Sequence, residues 1–497
     1  MIERRRTSIR RPAAAAVAVI AVMAWPSCAT NPATGAKQIT LISEGQEKQM
    51  GQQADQEVAG AIGLYEDADL QAYVQRIGAD MAARSERPAL NWTFRLVDDP
   101  AVNAFALPGG YVYVTRGLMS YFTSEAELAA VMGHEIGHIT ARHTVSQISK
   151  AQLANIGLAV GMIVRPELQS LGGLAEAGLS LLFLKYSRDA ERQADDLGLR
   201  YVTRVGYDPR PMADVFTTLE RVSAAETKGR VPGWLSTHPD PGDRRTRIGQ
   251  EITALTEPLG TRGRDRADYL RRIDGIEFGE DPREGFFEQS VFYHPGMRFR
   301  FEFPPGWKTS NQKQAVGAQS PNQDAVVVIT LARRESPETA SREFFSQPGI
   351  QQGSAWRGDI NGLPAVAHNF AAQTQQGAVI RGVAAFVSHQ GKVFQVLGYT
   401  SSARWPRYAD LISQTLNTFE RLTDRRYLDV EPKRLSIVDL PRAMTLREFA
   451  ERYPSTVPVE TVAIINETTV DGRLEAGPAK RVVGGQLPDE PRRSPRR

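Results

Sequence analysis

The sequence predicts an α+β chain of several domains, on three observations. Its 497 residues exceed what one hydrophobic core serves, so two to four domains are expected. Up to about residue 260, most stretches repeat apolar residues at helical spacing, interrupted by two short alternating runs. From about residue 288 the pattern turns to the alternation of strands, with few helical runs. The expectation is a mainly helical first domain with a small sheet, then an α+β module, then a small strand–helix–helix–strand unit.

The elements follow in order. Residues 1–27 join a basic stretch, "MIERRRTSIRRP", to the 13-residue apolar run "AAAAVAVIAVMAW". That run is too short for a stable membrane span and reads as a cleaved export signal. Cys28, the only cysteine, follows it, so no disulfide can form within the chain. The position suits a lipoprotein whose first residue, Cys28, carries acyl chains; several chains are needed for stable anchoring. Residues 1–27 hold five Arg and one Glu, so a formal charge of +3 becomes −1 without them. A nucleic-acid partner therefore has no support from charge.

Residues 28–260 form the first domain. Helices are expected from "SEGQEKQMGQQADQEVAGAIG" and "DLQAYVQRIGADMAAR", and strands from "WTFRLVDD" and "GGYVYVTRG". Two apolar helices are expected within 150–203, broken near Arg165-Pro166 and Gly172-Gly173 and packed on the core. Residues 261–287, with "RGRDRADYLRRIDG", read as a charged linker. Residues 288–424 form the α+β accessory domain, residues 425–484 the small unit, and the Pro- and Arg-rich residues 485–497 a disordered tail.

The chemistry concentrates in "SEAELAAVMGHEIGHITARH". Ser124 and Glu127 have the spacing of a capping box, so a helix starts there. At about 100° per residue, His134 and His138 share a face about 40° apart. Two imidazoles so placed can bind one tetrahedral Zn²⁺, leaving Glu135 beside the metal to take a proton from water. Gly133 and Gly137 together cost the helix about 1.5–2 kcal/mol relative to Ala. That cost makes sense if another backbone passes close to the metal-bearing face. His143, about 140° round from His138, is not expected to ligate. Ala141 and Thr144 stand where a metzincin continuation needs Gly and His. Downstream, "SRDAERQADDLG" puts Glu191 and Asp195 four apart on a second helix. A carboxylate there is the third ligand of a gluzincin arrangement, and Asp195 could accept the outer N–H of a ligand His. His294, His368 and His389 show no ligand spacing and receive no chemistry.

Four ordered motifs, "NAFALPGGYVYVTRGLM", "MGHEIGHITARH", "YSRDAERQADDLG" and "LSTHPDPGDRRTRI", resemble zinc metallopeptidases of the CAAX-prenyl-protease and HtpX type. Within these the likeness is to the exported, BepA-like lipoprotein branch, whose mature start this chain's "CATNPATGAKQITLISEGQE" also resembles; the likeness covers roughly residues 28–255. It implies one Zn²⁺ per chain on His134, His138 and Glu191, with Glu135 as base. It also implies that Asn103 lies near substrate, before a strand to which an extended peptide can add. His238 and Arg244 match residues that face the cleft. They could steady an oxyanion or hold a substrate carbonyl, or His238 could instead fill the metal's fourth site and keep the enzyme closed. Residues 288–424 loosely resemble photosystem-II-extrinsic-protein-like modules. Residues 433–484 resemble a degenerate LysM domain, which implies peptidoglycan contact.

Two functions compete. The first is a zinc endopeptidase, anchored at the outer membrane on its periplasmic side, that cleaves unfolded or misassembled envelope proteins. The second is a non-catalytic, chaperone-like envelope lipoprotein that binds through its C-terminal modules.

Overall fold

The computed structural model describes residues 27–158, 184–225, 233–238, 241–373, 377–485 and 487. Residues 1–26 of the expected signal segment, the expected breaks near Arg165-Pro166 and Gly172-Gly173, and almost all of the tail lie outside the described residues. Among the described residues no helix is long and apolar enough to cross a membrane.

The first domain is built around one helix, Glu125–Thr140, in which every residue from Ala126 onward is buried. Ser124 and Glu127 close the capping box at its start. At its other end Arg87 donates to the Ile139 carbonyl (3.1 Å), placing a cation at the negative pole of the helix. Glu47 joins Arg87 (2.6 Å) to Arg142 (2.8 Å) and so ties helix Glu44–Ala61 to this end. A three-stranded sheet lies beside the helix, with Tyr111–Thr115 central, Thr93–Val97 parallel to it, and Ala104–Leu107 antiparallel at an edge.

Helix Arg188–Arg204 packs against Glu125–Thr140 through backbone-to-backbone contact. A Cβ on Gly137 would lie 2.9 Å from the Ala194 carbonyl oxygen. One on Gly198 would lie 2.9 Å from the His134 nitrogen. The glycines thus let two helices approach closely enough for Glu191 to reach the His pair.

Of residues 261–287, expected as a charged linker, the stretch through Phe278 packs into this domain, whereas Phe286 and Phe287 begin a strand of the accessory domain's four-stranded sheet. Tyr269, Leu270, Ile273, Ile276 and Phe278 enter the same core as the Glu125–Thr140 helix. Their charged neighbours pair outward, as in Arg262–Asp80 (2.7 Å) and Arg264–Asp208 (2.6 Å). A high charge count marked the surface of this segment and hid its buried face.

The accessory domain has a seven-stranded antiparallel sheet running in order 350–360, 363–373, 379–389, 392–401, 325–332, 315–319 and 308–312. A four-stranded sheet and helix Trp405–Leu416 share a core with it, rich in Phe292, Phe299, Phe301, Phe394 and Phe419. His294, His368 and His389 are engaged there with Met297 N (3.2 Å), Gln352 (2.9 Å) and the Arg298 carbonyl (2.9 Å).

The last unit runs strand, helix, helix, strand, with Lys433–Leu440 antiparallel to Gly477–Gly484. It does not stand apart, because Leu435, Ile464, Ile465 and Val482 contribute to the first domain's core.

Candidate metal centre and active site

Three stretches far apart in sequence meet at the middle of the Glu125–Thr140 helix. His134 and His138 project from it, Glu191 comes from Arg188–Arg204, and His238 follows the short helix Gly233–Thr237. All four are at most 2 % exposed. His134 Nε2 lies 3.0 Å from His138 Nε2, 3.3 Å from His238 Nδ1 and 3.6 Å from Glu191 Oε2. His138 Nε2 is 3.4 Å from Glu191 Oε1, and His238 Nδ1 is 2.9 Å from that same oxygen. Ligands about 2.0–2.1 Å from one tetrahedral ion stand about 3.3 Å from each other. The donor set therefore fits one ion of that size.

The chemistry of the donors agrees. Asp195 accepts from His134 Nδ1 at 2.9 Å, so the His134 proton sits on its outer nitrogen and the Nε2 lone pair points inward. Burial alone would raise the Asp195 pKa, but Arg244 and His134 more than offset it and hold the carboxylate well below its usual range. Glu191 is likewise lowered: burial works against its charge, and His238, His138 and His134 more than compensate. Burial pushes His138 well down, toward the neutral imidazole that a metal requires.

Glu135 is 1 % exposed and sits beside the donors. Its Oε1 accepts from Trp234 Nε1 at 3.3 Å and lies 3.6 Å from His238 Nε2, while its Oε2 has no partner. A buried carboxylate oxygen left unpaired is costly unless a reaction uses it.

Arg244 is not directed at open space. Its Nε and Nη2 grip both oxygens of Asp195 at 2.9 and 2.7 Å, and its guanidinium lies 4.8 Å from the Trp234 ring. Its Nη1 is 2.7 Å from Glu191 Oε2 but off hydrogen-bonding alignment, so both atoms remain without a bond. Arg244 thus bears on the centre through Asp195 and Glu191. Asn103 immediately precedes edge strand Ala104–Leu107, and its buried Oδ1 is unpaired.

Several site residues were not anticipated. Tyr186 stacks on His138 with ring centroids 3.9 Å apart, and Trp234 stacks on His238 at 4.8 Å. His143 Nδ1 lies 2.9 Å from His138 Nδ1, so the helical-wheel direction given for it was wrong. The wheel fails because the helix ends at Thr140 and Arg142 turns left-handed (φ 57°), which swings His143 back. Burial lowers the His143 pKa to about 4.

Residues 68–252 match Peptidase family M48. The chain is 35% identical over 181 residues to Mitochondrial metalloendopeptidase OMA1 of Arabidopsis thaliana, covering 36% of this chain and 35% of that protein. It is 32% identical over 238 residues to Beta-barrel assembly-enhancing protease of Escherichia coli (strain K12), covering 45% and 48%. The chain thus spans between about a third and a half of these two relatives. Among solved structures, cyanobacterial PsbP of Synechocystis sp. PCC 6803 overlaps 27% of this chain and 94% of that one at 16% identity. The TM-score of 0.23 is too low to assign a fold. The donor cluster able to bind a metal, His134, His138, Glu191 and His238, lies within the matched region.

Proposed function

We propose that this protein is a zinc-dependent endopeptidase of the bacterial cell envelope, acting on unfolded or misassembled envelope proteins. The observation that carries the proposal is the convergence of His134, His138 and Glu191 on one point beside the unpaired Oε2 of Glu135. A zinc ion held by those three residues supplies Lewis acidity, acidifying water and polarising a carbonyl.

The remaining steps belong to the chain. Glu135 Oε2 takes the proton of the attacking water and returns one to the leaving amine, a role worth roughly 10²–10⁴-fold in rate. Trp234 fixes the other Glu135 oxygen. An extended peptide adds along edge strand Ala104–Leu107, where Asn103 offers its free Oδ1 to a substrate N–H. Burial would lower the His238 pKa, but Glu191 and Glu135 raise it; a ring N–H of His238 is the donor placed to steady an oxyanion. Arg244 acts as a positioning residue, holding Asp195 against His134.

His238 Nδ1 stands at the fourth vertex of the donor set in this structure. This favours a closed form in which His238 takes the place of water, with the Gly233–His238 stretch moving before substrate enters. It also keeps alive the second reading, a chaperone-like binder whose core stays shut.

The envelope location rests on the export signal at residues 1–27 and the lipidation site at Cys28. Peptidoglycan contact is assigned to residues 425–484 and is tested by binding to isolated sacculi. The decisive comparison is wild type against Glu135→Gln, for zinc content and for cleavage of an unfolded outer-membrane protein. Equal zinc with cleavage lost in the variant supports the peptidase; zinc without cleavage in either protein supports the binder.

A further inference from the structure

His138 differs from His134 in what lies behind it. His134 has a carboxylate, which can only accept a hydrogen bond, so its tautomer is set at once. His138 has another imidazole, His143, and two facing ring nitrogens leave open which of them carries the hydrogen. If His138 Nδ1 were the acceptor, its proton would sit on Nε2, pointing at the metal site and blocking it.

The ambiguity is resolved three residues further out. His143 Nε2 lies 2.8 Å from Gln193 Oε1. Asn31 Nδ2 donates to that same oxygen at 3.2 Å. Asn31 cannot turn its amide over, because its Oδ1 accepts from the backbone N–H of Ala33 at 2.9 Å, and a backbone N–H is only ever a donor. Asn31 is 6 % exposed and opens the turn between strands Ser27–Thr30 and Lys37–Thr40. Its backbone N–H donates to Ala36 O at 2.7 Å, and Gly35 N donates to its carbonyl at 2.8 Å.

We propose that Asn31, Gln193 and His143 form a positioning chain that fixes the tautomer of His138, and so its competence as a ligand, from the N-terminal hairpin. The polarity passes link by link. The Ala33 N–H holds the Asn31 oxygen, so the Asn31 amide group faces Gln193. The Gln193 oxygen must then point inward, where it accepts from His143 Nε2–H. In a neutral imidazole the other nitrogen is an acceptor, so His143 Nδ1 accepts from His138 Nδ1–H. The lone pair of His138 is left on Nε2, directed at His134 and Glu191. The hairpin that starts at Cys28 is on this account a working part of the metal centre, not only a tether.

The inference rests on the zinc reading above, and the test separates the two. Zinc affinity of the full chain is measured by competition with a chelator for wild type, Asn31→Asp, Gln193→Glu and His143→Phe. Asn31→Asp keeps the acceptor for Ala33 N–H and removes only the donor to Gln193, which frees the Gln193 amide to turn over. It should weaken zinc binding about 10- to 100-fold, as should His143→Phe. Gln193→Glu can only accept and so preserves the polarity; its affinity should stay within a few-fold of wild type. In zinc-free protein labelled with ¹⁵N-histidine, His138 Nδ1 should show a protonated-nitrogen shift in wild type and Gln193→Glu. That signal should be lost or averaged in Asn31→Asp. Unchanged zinc affinity in Asn31→Asp, or equal losses in Asn31→Asp and Gln193→Glu, overturns the chain. A wild-type protein that binds no zinc overturns the zinc reading instead.

Discussion

The start and the middle of the Glu125–Thr140 helix each bury a cluster of charged and polar groups, and the two clusters differ in what completes them. At the start, Lys480 from the C-terminal unit is 0 % exposed, and its ammonium donates to the carbonyls of Ser120 (3.1 Å), Tyr121 (3.0 Å) and Phe122 (2.8 Å). Glu127 Oε2 accepts from Thr123 N (2.7 Å) and Ser124 N (2.9 Å), and Glu467 accepts from Thr123 Oγ1 (2.8 Å). Burial, with Glu467 next to it, raises Glu127 well above the usual carboxyl range. There the three carbonyls are answered by Lys480 and Glu127 Oε2 by two backbone N–H groups, with Glu127 Oε1 left without a bond. In the middle of the helix, by contrast, ring nitrogens of His134, His138 and His238 and a Glu191 oxygen converge on one point, and Glu135 Oε2 is unpaired beside them. The first cluster is a structural clamp. The second gathers donor atoms that could hold a metal ion, which is where the proposed zinc would sit.

The contrast can be broken or sharpened by variants in each cluster. The largest effect is expected in the metal cluster, where Glu135→Gln should reduce peptide cleavage by roughly 10²–10⁴-fold with zinc content unchanged. Gly137→Ala sets a methyl 2.9 Å from the Ala194 carbonyl oxygen and must push the two helices apart. It should cost about 1–3 kcal/mol in urea unfolding and weaken zinc binding together with activity. Lys480→Met strips the three carbonyls of their donor and should cost about 1–3 kcal/mol while zinc affinity stays as it was. A loss of zinc in Lys480→Met would erase the distinction between the clusters.

The smallest effect is in the pH dependence, where the clusters should have opposite signs. Asp195 is lowered when folded, so its contribution is present above its unfolded value near 3.8 and is lost as pH falls through the folded value. Glu127 is raised when folded, so its contribution is complete below its unfolded value near 4.5 and is lost as pH rises through the folded value. Urea unfolding across pH should therefore show a shallower acid limb for Asp195→Asn and a shallower decline above pH 4.5 for Glu127→Gln.

What could be read in advance was what short spacing dictates. The four-residue step from His134 to His138, the S-x-x-E start of their helix and the Glu191–Asp195 pair depend only on helical geometry. The glycines announced a close backbone approach without saying whose; it is that of Ala194 and Gly198. The partners that orient the centre stayed hidden because chain reversals bring them together. His143 depends on the left-handed turn at Arg142, and Asn31 on a hairpin that comes to rest against Gln193, 162 positions away. The 261–287 segment was misjudged because its charges pair outward while Tyr269 and Ile273 fill the core. Strand Ile350–Ile360 was not foreseen either: it lies at a sheet edge, exposed over nearly all its length, so burial imposes no alternation on its sequence.

The most direct test of the central claim is a zinc titration of the full-length chain beside its Glu191→Ala variant. The account predicts one equivalent bound by wild type and binding weakened by orders of magnitude in the variant, with the fold retained. Equal zinc binding by the two proteins, or none by wild type, would contradict it.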